Sequence, residues 1–487
     1  MTTALVWFRR DFRLHDNAAL TAALAAADTV IPVYLHAPEE EEAQGERWEA
    51  TGAAAWWLHH SLRALKKDLR DSGSNLVIRR CTESLLELQK LIDATGAEVV
   101  HWNRLYEPHT VARDAQIKQA LGEAGIEAVS HAGCLLHEPT MQKTKTGNPF
   151  KVFTPFWKST RPSLDIGTPG GKPRELRAPS SWPQTMRVRE LELLPDINWH
   201  DSIAAAWQPG EEGASALLHR FIDEGVAHYA RGRDFPAENF TSRLSPHLHF
   251  GEITPRQVWV AIENATREKP SLEKPADKFL AEIGWREFAY HVLFHHPHTV
   301  NQPLMEKYAA FPWRDVDKDQ DAAADLEAWQ RGLTGYPIVD AGMRQLWRDG
   351  WMHNRVRMIV ASFLVKNLRL HWWHGARWFM DTLVDADLAS NTLGWQWAAG
   401  CGADAAPYFR IFNPMLQSKK FEAEDYIREY VPELREVQDA HLHAPWEAPA
   451  EALDKAGVKL GKDYPEPIIE YKASRERALA ALQELKD

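Results

Sequence analysis

A chain of 487 residues is longer than one ordinary domain and suggests two or three. Its 44% hydrophobic and 26% charged composition suits a globular protein with large cores, and no run approaches the roughly 18 consecutive apolar residues of a membrane span. The net charge of −11, taken alone, argues against nucleic acid as a partner. Cys81, Cys134 and Cys401 stand far apart and in no CxxC spacing. That argues against a zinc site or a disulfide framework and for a reducing compartment. The opening residues run straight into a strand-like segment without a basic leader, so a cytoplasmic location is expected.

Residues 1–130 alternate short apolar runs with helical spacing. Strands are predicted at 5–8, 30–35, 76–78, 99–102 and 126–129, and helices at 18–27, 53–70, 84–94 and 111–124. This alternation implies an α/β domain with a Rossmann-like parallel sheet. No G-x-G-x-x-G follows the first strand, so the usual dinucleotide site is not expected. The acidic run Glu39, Glu40, Glu41, Glu42 reads as a solvated loop. Residues 131–205 read as a long connector, since nine prolines fall between 131 and 200 and a Gly/Pro cluster spans 167–173. Residues 206–487 read as an all-α domain, with helices predicted at 217–224, 277–294, 338–349, 356–368 and 378–383.

Charge and aromatic residues are unevenly distributed within that helical half. Residues 331–380 carry eight Lys or Arg (Arg331, Arg344, Arg348, Arg355, Arg357, Lys366, Arg369, Arg377) against Asp340 and Asp349. Such a local excess can neutralise phosphates on an acidic protein. Ten of the 21 tryptophans lie between Trp285 and Trp397, more indoles than a core needs. Rings beside cations and amides suit reading bases, holding a planar cofactor or passing electrons.

Four constellations stand out. In Thr241, Ser242, Arg243, Leu244, Ser245 and Pro246, Ser245 fits a helix N-cap and Pro246 the first helical position; the hydroxyls and unpaired N–H groups there can hold a phosphate. Glu282 and Trp285, at i and i+3, put a carboxyl beside a stacking platform, and such stacking is worth roughly 1–3 kcal/mol per base. Asn354 and Met358 repeat the arrangement at i and i+4, with Arg355 one residue round and Arg357 set for a different neighbour, an acid. Asp385, Asp387 and Asn391 precede Trp395. Singly, each also reads as a capped helix or a buried indole. Together they read as a site.

These motifs, in this order, resemble the photolyase/cryptochrome superfamily over nearly the whole chain, and within it most the class I cyclobutane pyrimidine dimer photolyases. The resemblance rests on Val6-Trp7-Phe8-Arg9-Arg10-Asp11-Phe12-Arg13-Leu14, on Lys151-Val152-Phe153-Thr154-Pro155-Phe156-Trp157, and on Thr334-Gly335-Tyr336-Pro337-Ile338-Val339-Asp340. It continues through Trp351-Met352-His353-Asn354-Arg355-Val356-Arg357-Met358 and Gly394-Trp395-Gln396-Trp397 to Tyr408-Phe409-Arg410-Ile411-Phe412-Asn413-Pro414.

The resemblance implies a U-shaped FAD in the helical domain and UV-damaged DNA as the partner, with no metal and a monomeric chain. Tyr229, Thr241, Ser242, Arg243, Leu244 and Ser245 would hold the phosphate and ribose portion. Asp385, Ala386 and Asp387 would line the flavin, Arg357 would pair with Asp385, and Asn391 would face the flavin N5. An amide at N5 can hydrogen-bond the protonated nitrogen of reduced flavin. Plant cryptochromes tend to carry an acid there, so Asn391 favours a repair enzyme.

Glu282, Trp285, Asn354, Arg355, Met358 and Trp397 would surround a flipped-out dimer, a lesion cheaper to extrude than an intact pair. Arg233 and the basic stretch would grip flanking phosphates. In the family's mechanism, light-excited reduced flavin lends the dimer an electron, and Glu282 would stabilise the charge by hydrogen bonding. Trp395 and Trp372 match the inner and middle members of the tryptophan chain that reduces resting flavin, and Trp313 the outer, with Trp329 and Trp373 as alternatives. Trp351 gains no role and reads as core.

Folate-binding relatives tend to carry Asn-Glu after a Tyr-Glu pair. Here Tyr106-Glu107 is followed by Pro108-His109-Thr110. The antenna is then a deazaflavin, a methenyltetrahydrofolate held differently through Trp56 or Trp57, or absent. The rivals are a cryptochrome sensor, a (6-4) photolyase and a cofactor-free helical nucleic-acid binder. Sensors often carry a long C-terminal extension, whereas this chain ends soon after Tyr471. The (6-4) enzymes rely on a histidine pair near the lesion; His353 is present, but Glu282, Trp285 and Met358 fit a cyclobutane pocket.

Overall fold

A computed structural model describes residues 2–43, 45–195 and 197–485. By compactness the chain forms two units. The first comprises Met1–Glu224, Ser242–Val300 and Val384–Ala389; the second comprises Gly225–Thr241, Asn301–Leu383 and Ser390–Asp487.

The first unit is built on five parallel strands: β1 (Thr3–Phe8), β2 (Thr29–His36), β3 (Val77–Arg80), β4 (Val99–Asn103) and β5 (Glu127–His131). Their order in the sheet is β3-β2-β1-β4-β5. Helices α1 (Ala18–Ala26), α2 (Gly52–Asp71), α3 (Ser84–Thr95) and α4 (Pro108–Glu123) make the crossovers. β1 and β2 are buried almost end to end, which is why they read as continuous apolar runs rather than alternating ones. One core joins Leu5, Trp7, Ile31, Val33, Val77, Val100 and Trp102 to Leu88, Leu91, Ile117 and Leu121 of α3 and α4.

Ligands of doubly wound sheets usually sit where the strand order reverses, here beyond β1 and β4. The chain's own polar groups occupy that place. Arg9 Nη1 donates to both oxygens of Asp114 at 2.8 Å, and Asn103 Nδ2 donates to Asp11 and Asn17 at 2.6 and 2.9 Å.

Among its described residues the proline-rich stretch contains no strand beyond His131, and its longest helix is α5 (Phe153–Thr160). The acidic run is a solvated loop only in part: Glu39 and Glu42 are exposed, but Glu40 and Glu41 are half-buried and paired. Glu40 accepts from Ser84 N at 2.7 Å and lies 3.4 Å from Arg113, while Glu41 accepts from His109 at 2.9 Å. Burial raises the Glu41 carboxyl, but the hydrogen bond and charge of His109, with Arg113 and Arg10, overcome it and bring it down to about 2. The first unit is completed by α6 (Glu211–Arg220), α7 (Ser245–His249), α8 (Pro255–Glu268) and α9 (Glu273–His295).

The second unit is helical: α10 (Gln320–Arg331), α11 (Pro337–Asp349), α12 (Asn354–Ser362), α13 (Trp372–Thr382) and most of α14 (Leu388–Ala399). The helix predicted over 356–368 is α12 continued by a π turn at Phe363–Asn367. The Thr-Gly-Tyr-Pro motif is a structural clamp for α11. Its buried Asp340 accepts from Thr334 N, Thr334 Oγ1, Gly335 N and Tyr464 Oη at 2.7, 2.6, 3.0 and 2.6 Å. A buried carboxylate needs that number of donors.

Candidate functional site

In the first unit, α9 carries a carboxyl and a stacking surface. Glu282 and Trp285 are both half-buried. The Trp285 ring stacks on Phe153 of α5, centroids 3.9 Å apart and planes 11° apart, with Phe288 edge-on at 5.8 Å. These neighbours fix the ring as a rigid platform. The close approach of α5 depends on Gly284: a Cβ there would lie 2.7 Å from the Trp157 ring.

One turn further along α9, Tyr290 Oη donates to Asp387 Oδ2 at 2.5 Å, and His249 Nδ1 lies 3.2 Å from the same oxygen. Burial would raise the Asp387 carboxyl, but His249, Arg286 and Tyr290 hold it far below the usual carboxylate range. Asp387 is therefore a fixed anion. Asp385 and Ala386 are buried beside it in sequence. Arg286 donates to Cys134 O at 2.8 Å, and together with Arg10, Arg13, Tyr106 and Tyr290 it lines a narrow crevice.

The turn at residues 241–246 differs from its prediction by one residue. Ser245 is not the N-cap; it opens α7, and Leu244 holds the cap position without a side-chain hydrogen bond. The reason lies one residue earlier, where Arg243 takes a left-handed φ of 54° and turns the chain into the helix. The Arg243 guanidinium lies 4.3 Å from the centre of the Trp207 ring. Ser242 and Arg243 are half-buried, Leu244 is buried and Ser245 is exposed.

In the second unit, Tyr229 is buried, Thr241 and Arg233 are half-buried, and α12 presents exposed Asn354 and half-buried Arg355 and Met358. His353 caps this helix, its Nδ1 accepting from Arg355 N at 3.2 Å while Nε2 donates to Gly232 O at 3.0 Å. Burial lowers its pKa to about 4, so the ring is neutral at physiological pH. Arg357 Nε donates to Met352 O at 2.8 Å, and Trp351 is buried.

The basic stretch is not the unbalanced patch its sequence suggests. Arg331 pairs with Glu327, Arg344 with Glu433, Arg348 with Asp349 and Glu429, and Arg355 with Asp234. Lys366 is buried and donates to Arg410 O at 2.8 Å. Most of the compensating acids lie outside the 331–380 window, which is why a local count missed them.

Asn391 Nδ2 donates to Ala376 O on α13 at 2.9 Å. A carbonyl can only accept, so this bond sets the amide's orientation and leaves Oδ1 as the acceptor pointing elsewhere. Trp395 is buried against Phe379 at 5.0 Å and Trp329 at 6.0 Å. Trp372 is buried too, and the His371 ring lies 5.3 Å from both Trp372 and Trp313. Trp313, expected as the outer tryptophan, is half-buried; of its alternatives Trp329 is fully buried and Trp373 half-buried. Trp397 is half-buried. Trp56 and Trp57 are 2% and 0% exposed, so neither offers a ring face to an antenna pigment.

Sequence reasoning gave no site role to Phe153, Tyr290, His249 or Asp234. Phe153 lay in a quoted motif and Asp234 directly followed Arg233, the only local signals among them. The others act across the fold.

The family model described as DNA photolyase matches residues 4–178, and that of the FAD binding domain of DNA photolyase matches residues 279–484. The deoxyribodipyrimidine photo-lyase of Agrobacterium fabrum is 48% identical over 99% of this chain and 98% of its own length. Cryptochrome-2 of Arabidopsis thaliana is 39% identical over 99% of this chain and 79% of its own length. The crystal structure of a bacterial class III photolyase from Agrobacterium tumefaciens superposes with a TM-score of 0.93 at 47% identity, covering 100% of this chain and 98% of that one. That relative is of class III, where the sequence motifs pointed to class I. The chain belongs to the DNA photolyase family.

Proposed function

We propose that this chain is a deoxyribodipyrimidine photo-lyase that uses FAD and light to split cyclobutane pyrimidine dimers in DNA. The observation that carries the reading is Asn391, one of whose two amide N–H groups donates to Ala376 O, which fixes the amide and leaves its oxygen to accept from a protonated flavin nitrogen. Reduced FAD, when bound, supplies the photoexcitable electron donor. Tyr229 and the Thr241, Ser242, Arg243, Leu244 and Ser245 turn hold its phosphate and ribose portion. Asp385, Ala386 and Asp387 line the ring, with Arg357 as the cation near it.

On the DNA side, Trp285 stacks on an extruded base and Glu282 hydrogen-bonds the dimer. Asn354, Met358 and Trp397 are assigned to the same lesion, while Arg233 and Arg355 meet the strand's phosphates. Trp395, Trp372 and Trp313 pass electrons to resting flavin. A methionine at 358 favours a cyclobutane dimer over a (6-4) product, whose repair relies on a histidine pair.

The same proposal includes a division at 1–130, 131–205 and 206–487, a monomeric chain and a cytoplasmic location. Among the described residues no helix is long and apolar enough to cross a membrane. An antenna pigment, if bound, is a deazaflavin or a folate held without Trp56 and Trp57.

The light-sensor reading is favoured by the identity to Cryptochrome-2. One comparison separates the readings: absorption of the purified protein before and after illumination, together with binding to duplexes with and without a single thymine dimer. Flavin bands with a preference for the dimer are expected. Flavin bands without that preference would favour the sensor, and a colourless protein would contradict both.

A further inference from the structure

Two arginines of the second unit share an unusual setting. Phe235 and Phe421 meet edge to face, centroids 5.9 Å apart and planes 87° apart. The Arg231 guanidinium lies 3.6 Å from the Phe235 ring centre and that of Arg355 lies 4.5 Å from the Phe421 ring centre. Each is also paired with acids: Arg231 with Glu238 and Glu422 at 2.8 and 2.7 Å, Arg355 with Asp234 at 2.5 Å. Arg231 is exposed, so its pairs are screened and worth little.

The Arg355–Asp234 pair is different. The two side chains are only 17% and 29% exposed, Arg355 Nη1 lies 3.6 Å from Met358 Sδ, and Arg355 Nε is buried. Ring, sulfur and carboxylate together hold this guanidinium in one plane and one orientation. Asp234 is itself held by the turn before it, where its N–H donates to Arg231 O at 2.9 Å.

We propose that Asp234 is a specificity-determining residue for the repair reaction. Its carboxylate cancels the charge of Arg355 toward intact duplex and orients the same guanidinium for a strand opened at a lesion. This rests on the reading above that Arg355 meets DNA. Binding to intact duplex draws on charge alone: each phosphate neutralised releases counterions whatever the geometry of the cation. There a bound carboxylate subtracts from affinity. A strand drawn toward Asn354 and Met358 needs the guanidinium in a set orientation, and ordering it beforehand removes a cost from binding. There the carboxylate adds. Loss of the carboxylate therefore moves the two affinities in opposite directions.

The test is D234N, with D234E, R355A and wild type, in the FAD-loaded protein. Affinity for a duplex is measured with and without one thymine dimer across a salt series. For D234N, undamaged duplex is expected to bind about threefold more tightly at low salt, with log K against log salt steeper by about 0.9, one phosphate's worth. Dimer-containing duplex is expected to bind no tighter than to wild type, so discrimination falls by about threefold or more. D234E, which keeps the charge, should behave as wild type.

Parallel weakening of both duplexes in D234N with an unchanged salt slope would overturn the proposal and leave Asp234 a structural residue. So would no change in either. If R355A alters neither affinity nor slope, the reading that places Arg355 at DNA fails. If R355A weakens binding while D234N changes nothing, only the role of Asp234 fails.

Discussion

At the scale of single residues, burial and hydrogen-bond direction set most of the candidate chemistry. Asn391 is oriented by one bond, His353 is kept neutral by burial, and Asp387 is kept anionic by His249, Arg286 and Tyr290. Glu287 shows the opposite outcome. Its Oε2 accepts from Leu136 N and His137 N at 3.0 and 3.1 Å, and Arg286 lies 3.8 Å from Oε1. Burial nevertheless outweighs these partners and pushes its carboxyl up to about 7 from 4.5.

Between those pH values the folded chain keeps a proton that the unfolded chain releases. The contribution is therefore present below about pH 4.5 and is lost as pH rises through about 7. Glu287→Gln keeps an oxygen for both N–H groups and removes the titration. It should be more stable than wild type at pH 8, on the order of 2 kcal/mol, and no more stable at about pH 4. Thermal unfolding at the two pH values checks this; an equal shift at both would show that the carboxyl does not titrate there.

Trp395 belongs to the same scale. Trp395→Phe should slow photoreduction of oxidised flavin yet spare dimer repair once the flavin is reduced chemically. Equal loss of both would make Trp395 a binding or structural residue. The types of these groups were legible in the sequence because Glu282, Trp285, Asn391 and Trp395 occupy motif positions. Their states were not. Tyr290 and His249 lie 97 and 138 residues from Asp387, and no local spacing announces such partners.

At the scale of elements, the predicted strands fall within two residues of β1 to β5; β1, β2 and β4 were the plainest, since strands buried along nearly their whole length read as largely apolar runs. Helix ends were less legible. α12 passes into a π turn that the 3.6-residue period does not mark, and α7 starts at Ser245 because Arg243 adopts a left-handed conformation that no residue type there requires. The contact of α13 with Trp395 is another feature that only the fold shows. A Cβ on Gly375 would lie 2.0 Å from the Trp395 ring.

Gly375→Ala ought to gain up to about 1 kcal/mol in helix propensity. Overpacking against the indole typically costs about 1–3 kcal/mol, so net destabilisation is expected. Trp395 cannot move without disturbing α14, which also carries Asn391, so the variant should purify with less flavin than wild type. Full flavin content with raised stability would mean that the indole has room to shift.

At the scale of the whole molecule, the α/β start, the proline-rich stretch and the helical remainder were all legible, because periodicity and composition change along the chain. Electrostatics was not. The excess of six basic residues over 331–380 suggested an open cationic face, whereas Asp234, Glu429 and Glu433 reach three of those residues from distant positions. On the proposed function, recognition of DNA would rest on shape and on a few oriented cations as well as on field, and affinity for intact duplex should be modest. The central claim is that light and reduced flavin reverse a dimer held at Trp285 and Glu282. The direct measurement is the amount of cyclobutane thymine dimer left in an oligonucleotide after near-UV or blue illumination with the reduced protein, beside a dark control. Dimer should disappear with light and return as intact thymines, and remain in the dark. Dimer persisting under illumination, with flavin bound and reduced, would contradict the account.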